Sequence, residues 1–290
     1  MSVKLMVDSA CDIARDEVVA AGAAFLPLHV RMGDHEYLDG VDLTHEEFYN
    51  RLTQGKEQPT TSQISPGFFE EAFRRSLAKD EEVVCLTVSS GLSGTCASAL
   101  MARDELPPLR RRRVHVVDSE NVSIGEQVLA RLALRLIEQG IGAADLAAEL
   151  DVRKQDIRVF ALLDTLEYLR RGGRVPAAAA AVGQLLSIKP VISVDDGEVV
   201  VLGKARGSKN GRNLLTQQIE KSGGIDFSMP IALGYAGLDD VLLRKYIEDS
   251  RGIWEANVCA DDLPVHSVGA TIGTHVGPGA IALAFFKKSA

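Results

Sequence analysis

Three short segments carry side chains suited to holding a small anion, and each does so with neutral groups. In "SSGLSGT", residues 89–95, Ser89, Ser90, Ser93 and Thr95 stand among Gly91 and Gly94, after the apolar run Val83–Val88 and before small residues at helical spacing. A helix beginning near Thr95 turns unpaired N–H groups and a partial positive charge toward this loop, which favours an anion there. No Gly-Lys-Ser/Thr follows, so a triphosphate is disfavoured, and the serine lacks the G-x-S-x-G spacing of a nucleophile elbow. Weak, reversible capture of one small anion such as a carboxylate remains, against plain helix capping by the same hydroxyls. The second segment is "QPTTSQISPGFF", residues 58–69, where Thr60, Thr61, Ser62 and Gln63 precede a helix that Ser65 can cap alone. The third is "GTHVGPGAIAL", residues 273–283. It places His275 in a loop of glycines, where the ring is not expected to fill a packed helix face and the backbone can approach a ligand closely. Hydroxyls, helix N–H groups and one imidazole would form a mild carboxylate site with no fixed full charge.

Elements must bring these segments together. The first half alternates β-branched runs with helical patterns, as a doubly wound α/β domain does. "VKLMVDS" reads as a strand, and "CDIARDEVVAAG" as a helix stopped by Gly22. "AFLPLHVRM", the Gly33-Asp34 turn and "HEYLDG" read as a hairpin excursion over about residues 25–42. Thr44 with Glu47, and Ser123 with Glu126, have the spacing of capping boxes. Three strands end in Asp8-Ser9, Ser89-Ser90 and Asp118-Ser119, and in open parallel sheets ligands sit outside such carboxyl ends. The competing reading is that these residues merely cap the helices that follow. In the second half, the strand "DIRVFALLD", the helix "TLEYLRRGGR", the small-residue helix "VPAAAAAVGQLL" and a hairpin around Asp196-Gly197 predict a mixed sheet. The expected architecture is two α/β domains: residues 1–155 around a Rossmann-like parallel sheet, and residues 156–290 around a mixed sheet.

Composition narrows the function. Among 290 residues, 46 % are hydrophobic and 25 % charged, as in ordinary globular proteins. A net charge of −8 argues against nucleic acid as the main partner. No apolar run reaches the length of a membrane span, and the start turns polar at Asp8, too early for a signal peptide, so a cytoplasmic protein without stable membrane insertion is expected. Cys11, Cys85, Cys96 and Cys259 are scattered and are read as reduced packing residues. "RRRR" at 110–113 reads as a solvated loop before a strand.

The motifs "VDSACD" at 7–12, "PTTSQ" at 59–63, "SSGLSGT" at 89–95, "LRRGGR" at 169–174, "KP" at 189–190 and "GTHVGPGA" at 273–280 occur in the order and spacing of the DegV family, and the chain resembles that family nearly end to end. One departure is Ile64, where proline is common after the "TSQ" motif. The resemblance implies a non-enzymatic bacterial protein that holds one long-chain fatty acid, such as palmitate, between its two domains. It implies no cofactor and no metal. Its partner would be a fatty acid kinase that makes acyl phosphate for phospholipid synthesis; because a carrier must dock one-to-one, a monomer is expected. Carried over by motif, Thr61 and Ser93 would hold the carboxylate, with Ser62, the Gly94 amide and His275 completing the cluster. Arg170, Arg171 and Arg174 would dock the kinase, although basic residues at a helix end also complement its dipole. Candidates for the tail's lining are Ala177–Ala181, Val182, Leu185, Leu186, Phe160, Leu162 and Ile281, most of which would equally be ordinary core.

The alternative is a serine hydrolase or acyltransferase using Ser93 with His275. It needs an orienting acid, for which Asp8, Asp118 and Asp164 are candidates by position only.

Overall fold

The apolar runs of the first half form seven strands in the computed structural model, which describes residues 2–55, 58–175 and 188–288. These are β1 (Val3–Asp8), β2 (Ala24–Leu26), β3 (His29–Met32), β4 (His35–Leu38), β5 (Thr60–Ser62), β6 (Glu82–Thr87) and β7 (Val114–Asp118). A parallel sheet of order β2-β1-β6-β7 is buried on both faces, and strand alternation decides which residue meets which helix. Met6, Val83 and Cys85 pack with Phe69, Phe73 and Ala99 of helices Pro66–Leu77 and Thr95–Asp104. Leu5, Val7, Val84 and Leu86 pack with Val128, Leu132, Leu146 and Leu150 of helices Ile124–Glu138 and Ala143–Arg153.

The second half adds β8 (Ile157–Leu162), β9 (Ile188–Asp195), β10 (Glu198–Arg206), β11 (Ile231–Tyr235), β12 (Val265–Ser267) and β13 (Ile281–Phe286). They form a mixed sheet of order β10-β9-β8-β13-β11-β12, antiparallel except for the β11–β12 pair. Asp196 and Gly197 at the β9–β10 turn both have positive φ, 47° and 78°, as a type I′ hairpin requires. Helix Ile124–Glu138 shares one core with both sheets, because Val159, Ala232 and Ala284 of the mixed sheet join Val128 and Leu132. The expected α/β class, a parallel sheet with a separate mixed one, is the observed one.

Several local expectations need correction. "AFLPLHVRM" is two strands: β2 extends the parallel sheet, and beyond Pro27 the chain turns into β3 of a small antiparallel sheet, order β4-β3-β5. Proline has no N–H for a ladder, so it sits where pairing changes. "TTS" is strand β5, paired with β3. Of the helix expected after Cys11 only Arg15–Ala20 forms, following a turn of 3-10 helix at Ser9–Cys11. Ser123 makes no capping box: its φ is 58°, its hydroxyl donates to Asp12, and Glu126 is buried. The Thr44–Glu47 box and the Ser65 cap do form. Cys11, Cys85 and Cys96 are buried, whereas Cys259 is exposed. Within the arginine run, Pro108–Arg111 is a short helix rather than a loop. The helix expected over "VPAAAAAVGQLL", with the lining candidates Ala177–Ala181, Val182, Leu185 and Leu186, lies outside the described residues.

Candidate functional site

Turns after β1, β6 and β7 face the inner side of the mixed sheet across a cavity of about 310 Å³. Ala10, Val88 and Val122 wall it from the first half, and Ala161, Ile192 and Val199 from the second. An outer groove of about 280 Å³, bordered by Pro59, Tyr168 and Arg171, adjoins it. Thr61, Arg174 and His275 border both spaces, and so stand where the interior meets the outside.

Thr61 sits on β5 opposite Val30, and its Oγ1 lies 2.9 Å from His275 Nε2. Ser62 and Gln63 follow it along the cavity wall. Gln63 donates from Nε2 to Ser98 Oγ at 2.8 Å, tying β5 to helix Thr95–Asp104. That strut explains Gly94, because a Cβ there would collide with the Gln63 side chain. Ser93 and Gly94 line the cavity, and Ser93 Oγ lies 2.9 Å from Thr95 Oγ1. Helix Thr95–Asp104 has no side-chain cap on its Gly94 N-cap.

His275 is not in a loop, as its glycine-rich setting suggested. It is the sixth residue of helix Ala270–Val276. Gly273 packs that helix against Phe48 and Tyr49, where any Cβ would collide, and Gly277 ends it with φ at 71°. The glycines therefore make a close helix interface rather than a mobile turn. Gly172 lies against the ring of His275, leaving buried Nδ1 without a hydrogen-bond partner among the described residues. Burial, then the nearby charge of Arg174, lowers the pKa of His275 to about 4, so the imidazole is neutral near pH 7.

The arginine motif divides. Arg170 and Arg171 both pair with Glu167, whose pKa the two guanidinium groups lower to about 2. Arg174 lies beyond the turn at Gly173 and faces inward, donating from Nε to Leu92 O at 3.1 Å. Burial lowers its pKa, yet a guanidinium keeps its proton. A full positive charge thus borders a site that sequence reasoning had furnished with neutral groups alone.

The three acids considered for a hydrolase are engaged elsewhere. Asp8 accepts from the amides of Ala10 and Val88, Asp118 from those of Ser90 and Glu120, and Asp164 pairs with Lys189. None of them orients His275 Nδ1. No cluster of His, Cys, Asp and Glu suited to a metal ion occurs among the described residues, and none of their helices is long and apolar enough to cross a membrane.

On β8 the cavity meets Val159 and Ala161, while Phe160 and Leu162 face away into a core with Leu215 and Ile219. For these two the ordinary-core alternative holds, because strand parity turns them away from the cavity. Ile281 does line the cavity.

A family model described as an uncharacterised protein of the DegV family matches residues 2–288. The chain belongs to the DegV family. A DegV domain-containing protein of Caldanaerobacter subterraneus is 32 % identical over 293 residues, covering 99 % of each chain. Among solved structures, a DegV family protein of Thermus thermophilus, described as binding fatty acid, matches with a TM-score of 0.86 and 31 % identity over 99 % of this chain and 100 % of its own. A stearic acid-binding protein of Eubacterium ventriosum matches with a TM-score of 0.83 and 26 % identity over 99 % of each chain.

Proposed function

We propose that this DegV family chain carries one long-chain fatty acid, with the tail in the cavity and the carboxylate at the Thr61–Arg174–His275 boundary. The observation that carries the reading is the coincidence of an apolar interior with a polar boundary of three residues shared by the outer groove. Burying a sixteen-carbon tail contributes on the order of 10 kcal/mol at about 0.8 kcal/mol per methylene, from which immobilisation removes several. The head therefore needs only to be aimed.

Its chemistry follows from the neutral imidazole. Nδ1 has no acceptor among the described residues, and an orphaned buried N–H is costlier than an orphaned lone pair, so the proton belongs on Nε2. Nε2–H then donates to Thr61 Oγ1, and the threonine hydroxyl is left to donate outward to a carboxylate oxygen. Ser93 Oγ and the Gly94 amide serve the second oxygen, Ser62 supports the rim, and Arg174 supplies long-range attraction. We assign no catalytic residue to this chain. The carboxylate faces the groove, where a fatty acid kinase would meet it, and Arg170 and Arg171, exposed beside it, are the docking residues of this reading. A monomeric cytoplasmic carrier, divided near residue 155, completes the proposal.

Titration of lipid-free protein with palmitate by calorimetry tests it. One acid per chain is expected, together with acyl phosphate formation when kinase and ATP are added. Absence of saturable palmitate binding overturns the reading.

A further inference from the structure

We infer that Asp39 and Asp12 are positioning residues for the head-group site, acting through the helix that delivers His275; this rests on the proposed function. Helix Ala270–Val276 has no side-chain cap of its own. Three consecutive amides at its start are instead taken by carboxylates from the far end of the chain. Asp12 Oδ1 accepts from Gly269 N at 2.8 Å, Asp39 Oδ1 from Ala270 N at 3.1 Å, and Asp39 Oδ2 from Thr271 N at 3.2 Å. Both acids are almost wholly buried, so an N–H left without them would find no water. Tyr49 adds a hydrogen bond to Val268 O at 3.2 Å. With only seven residues, the helix passes a shift of its first turn to its last, where His275 meets Thr61.

The two acids differ in how they can be replaced. Asp39 uses both oxygens on N–H donors, so Asp39→Asn sets an amide N–H against a backbone N–H. Asp12 uses one oxygen on Gly269 N and the other on Ser123 Oγ, which lies 2.5 Å away. Asp12→Asn keeps both bonds, because its amide donates to the serine oxygen. The conservative change should therefore be silent at position 12 and damaging at position 39.

Two readouts test this. In ligand-free protein, imidazole 15N NMR follows His275 directly: Asp39→Asn should move its signals and Asp12→Asn should leave them near wild type. In binding, Asp39→Asn should weaken palmitate about tenfold and leave methyl palmitate unchanged. In a His275→Ala background Asp39→Asn should cost nothing further. Where Asp39→Asn does not fold, Asp39→Ala removes both acceptors without a misdirected N–H and gives the same comparison. Unmoved His275 signals, equal losses for acid and ester, or an additive loss without His275 would each overturn the inference. If His275 moves but wild type binds neither acid nor ester, the positioning stands and the fatty-acid reading fails.

Discussion

The two ends of the cavity are built on opposite principles. At its boundary with the groove, a few polar groups are held by hydrogen bonds that span the chain: Thr61 with His275, Gln63 with Ser98, Arg174 with Leu92. In the interior, Ala10, Val122, Ala161 and Ile192 offer apolar surface, contributed by both halves. One end can select by chemistry and the other only by shape and area. A carrier benefits from that division, because the interior supplies affinity without direction and the boundary supplies direction with little affinity. Arg174 complicates the picture, since its charge attracts the carboxylate more strongly than hydroxyls do. It is spread over bonds to Leu92 and Gly172 carbonyls rather than paired with an acid among the described residues.

Blocking the tail should have the largest effect. Ala161→Trp fills the cavity from β8 and excludes about half of a sixteen-carbon chain, which at about 0.8 kcal/mol per methylene weakens palmitate by a thousandfold or more, roughly. Calorimetry checks this, and a shorter acid such as octanoate should lose far less. Equal losses for both acids would break the assignment of the interior to the tail. Removing the head's direct donors comes next. Thr61→Ala combined with Ser93→Ala should weaken the acid by at least about a hundredfold, at about 1.5–3 kcal/mol per hydrogen bond to a charged group, leave the methyl ester unchanged, and abolish acyl phosphate formation by the kinase.

The Arg174→Met change sharpens the contrast further. It should cost about tenfold in acid affinity and raise the His275 pKa from its lowered value, because the guanidinium charge is one cause of that lowering. An NMR titration of the ring reads this shift, and an unmoved pKa would place Arg174 too far from the head to matter. The last effect is on stability and does not touch binding at pH 7. The pKa of His275 is about 4 in the folded chain and near 6.5 when unfolded, so the unfolded state alone binds a proton between those values. The contribution is fully present above about pH 6.5 and is lost as pH falls through 4. Relative to His275→Gln, the wild type should lose up to about 3 kcal/mol over that interval, measured by urea unfolding.

The boundary was more legible than the interior, and for a physical reason. Hydroxyls and glycines clustered in turns are unusual enough to mark Thr61, Ser62, Ser93 and Gly94 as candidates, and the cavity collects all four. The alternation of strands and helices also carried the α/β class. What escaped depends on contacts distant in sequence. Gly273 looks like a loop residue until Phe48 and Tyr49 are seen pressed against it. Arg174 looks like a third member of a basic motif until the turn at Gly173 sends it inward. Phe160 and Leu162 read equally as lining or as core, and only pairing with β9 and β13 decides which parity faces the cavity. The Ser123–Glu126 spacing promised a cap, but buried Asp12 claims the serine.

Native mass spectrometry of the chain as purified, with solvent extraction of whatever it carries, tests the central claim most directly. The account predicts a single adduct per chain that extraction releases as a long-chain fatty acid, and that Ala161→Trp lacks. A chain that is bare as purified, and stays bare after incubation with palmitate, would contradict it.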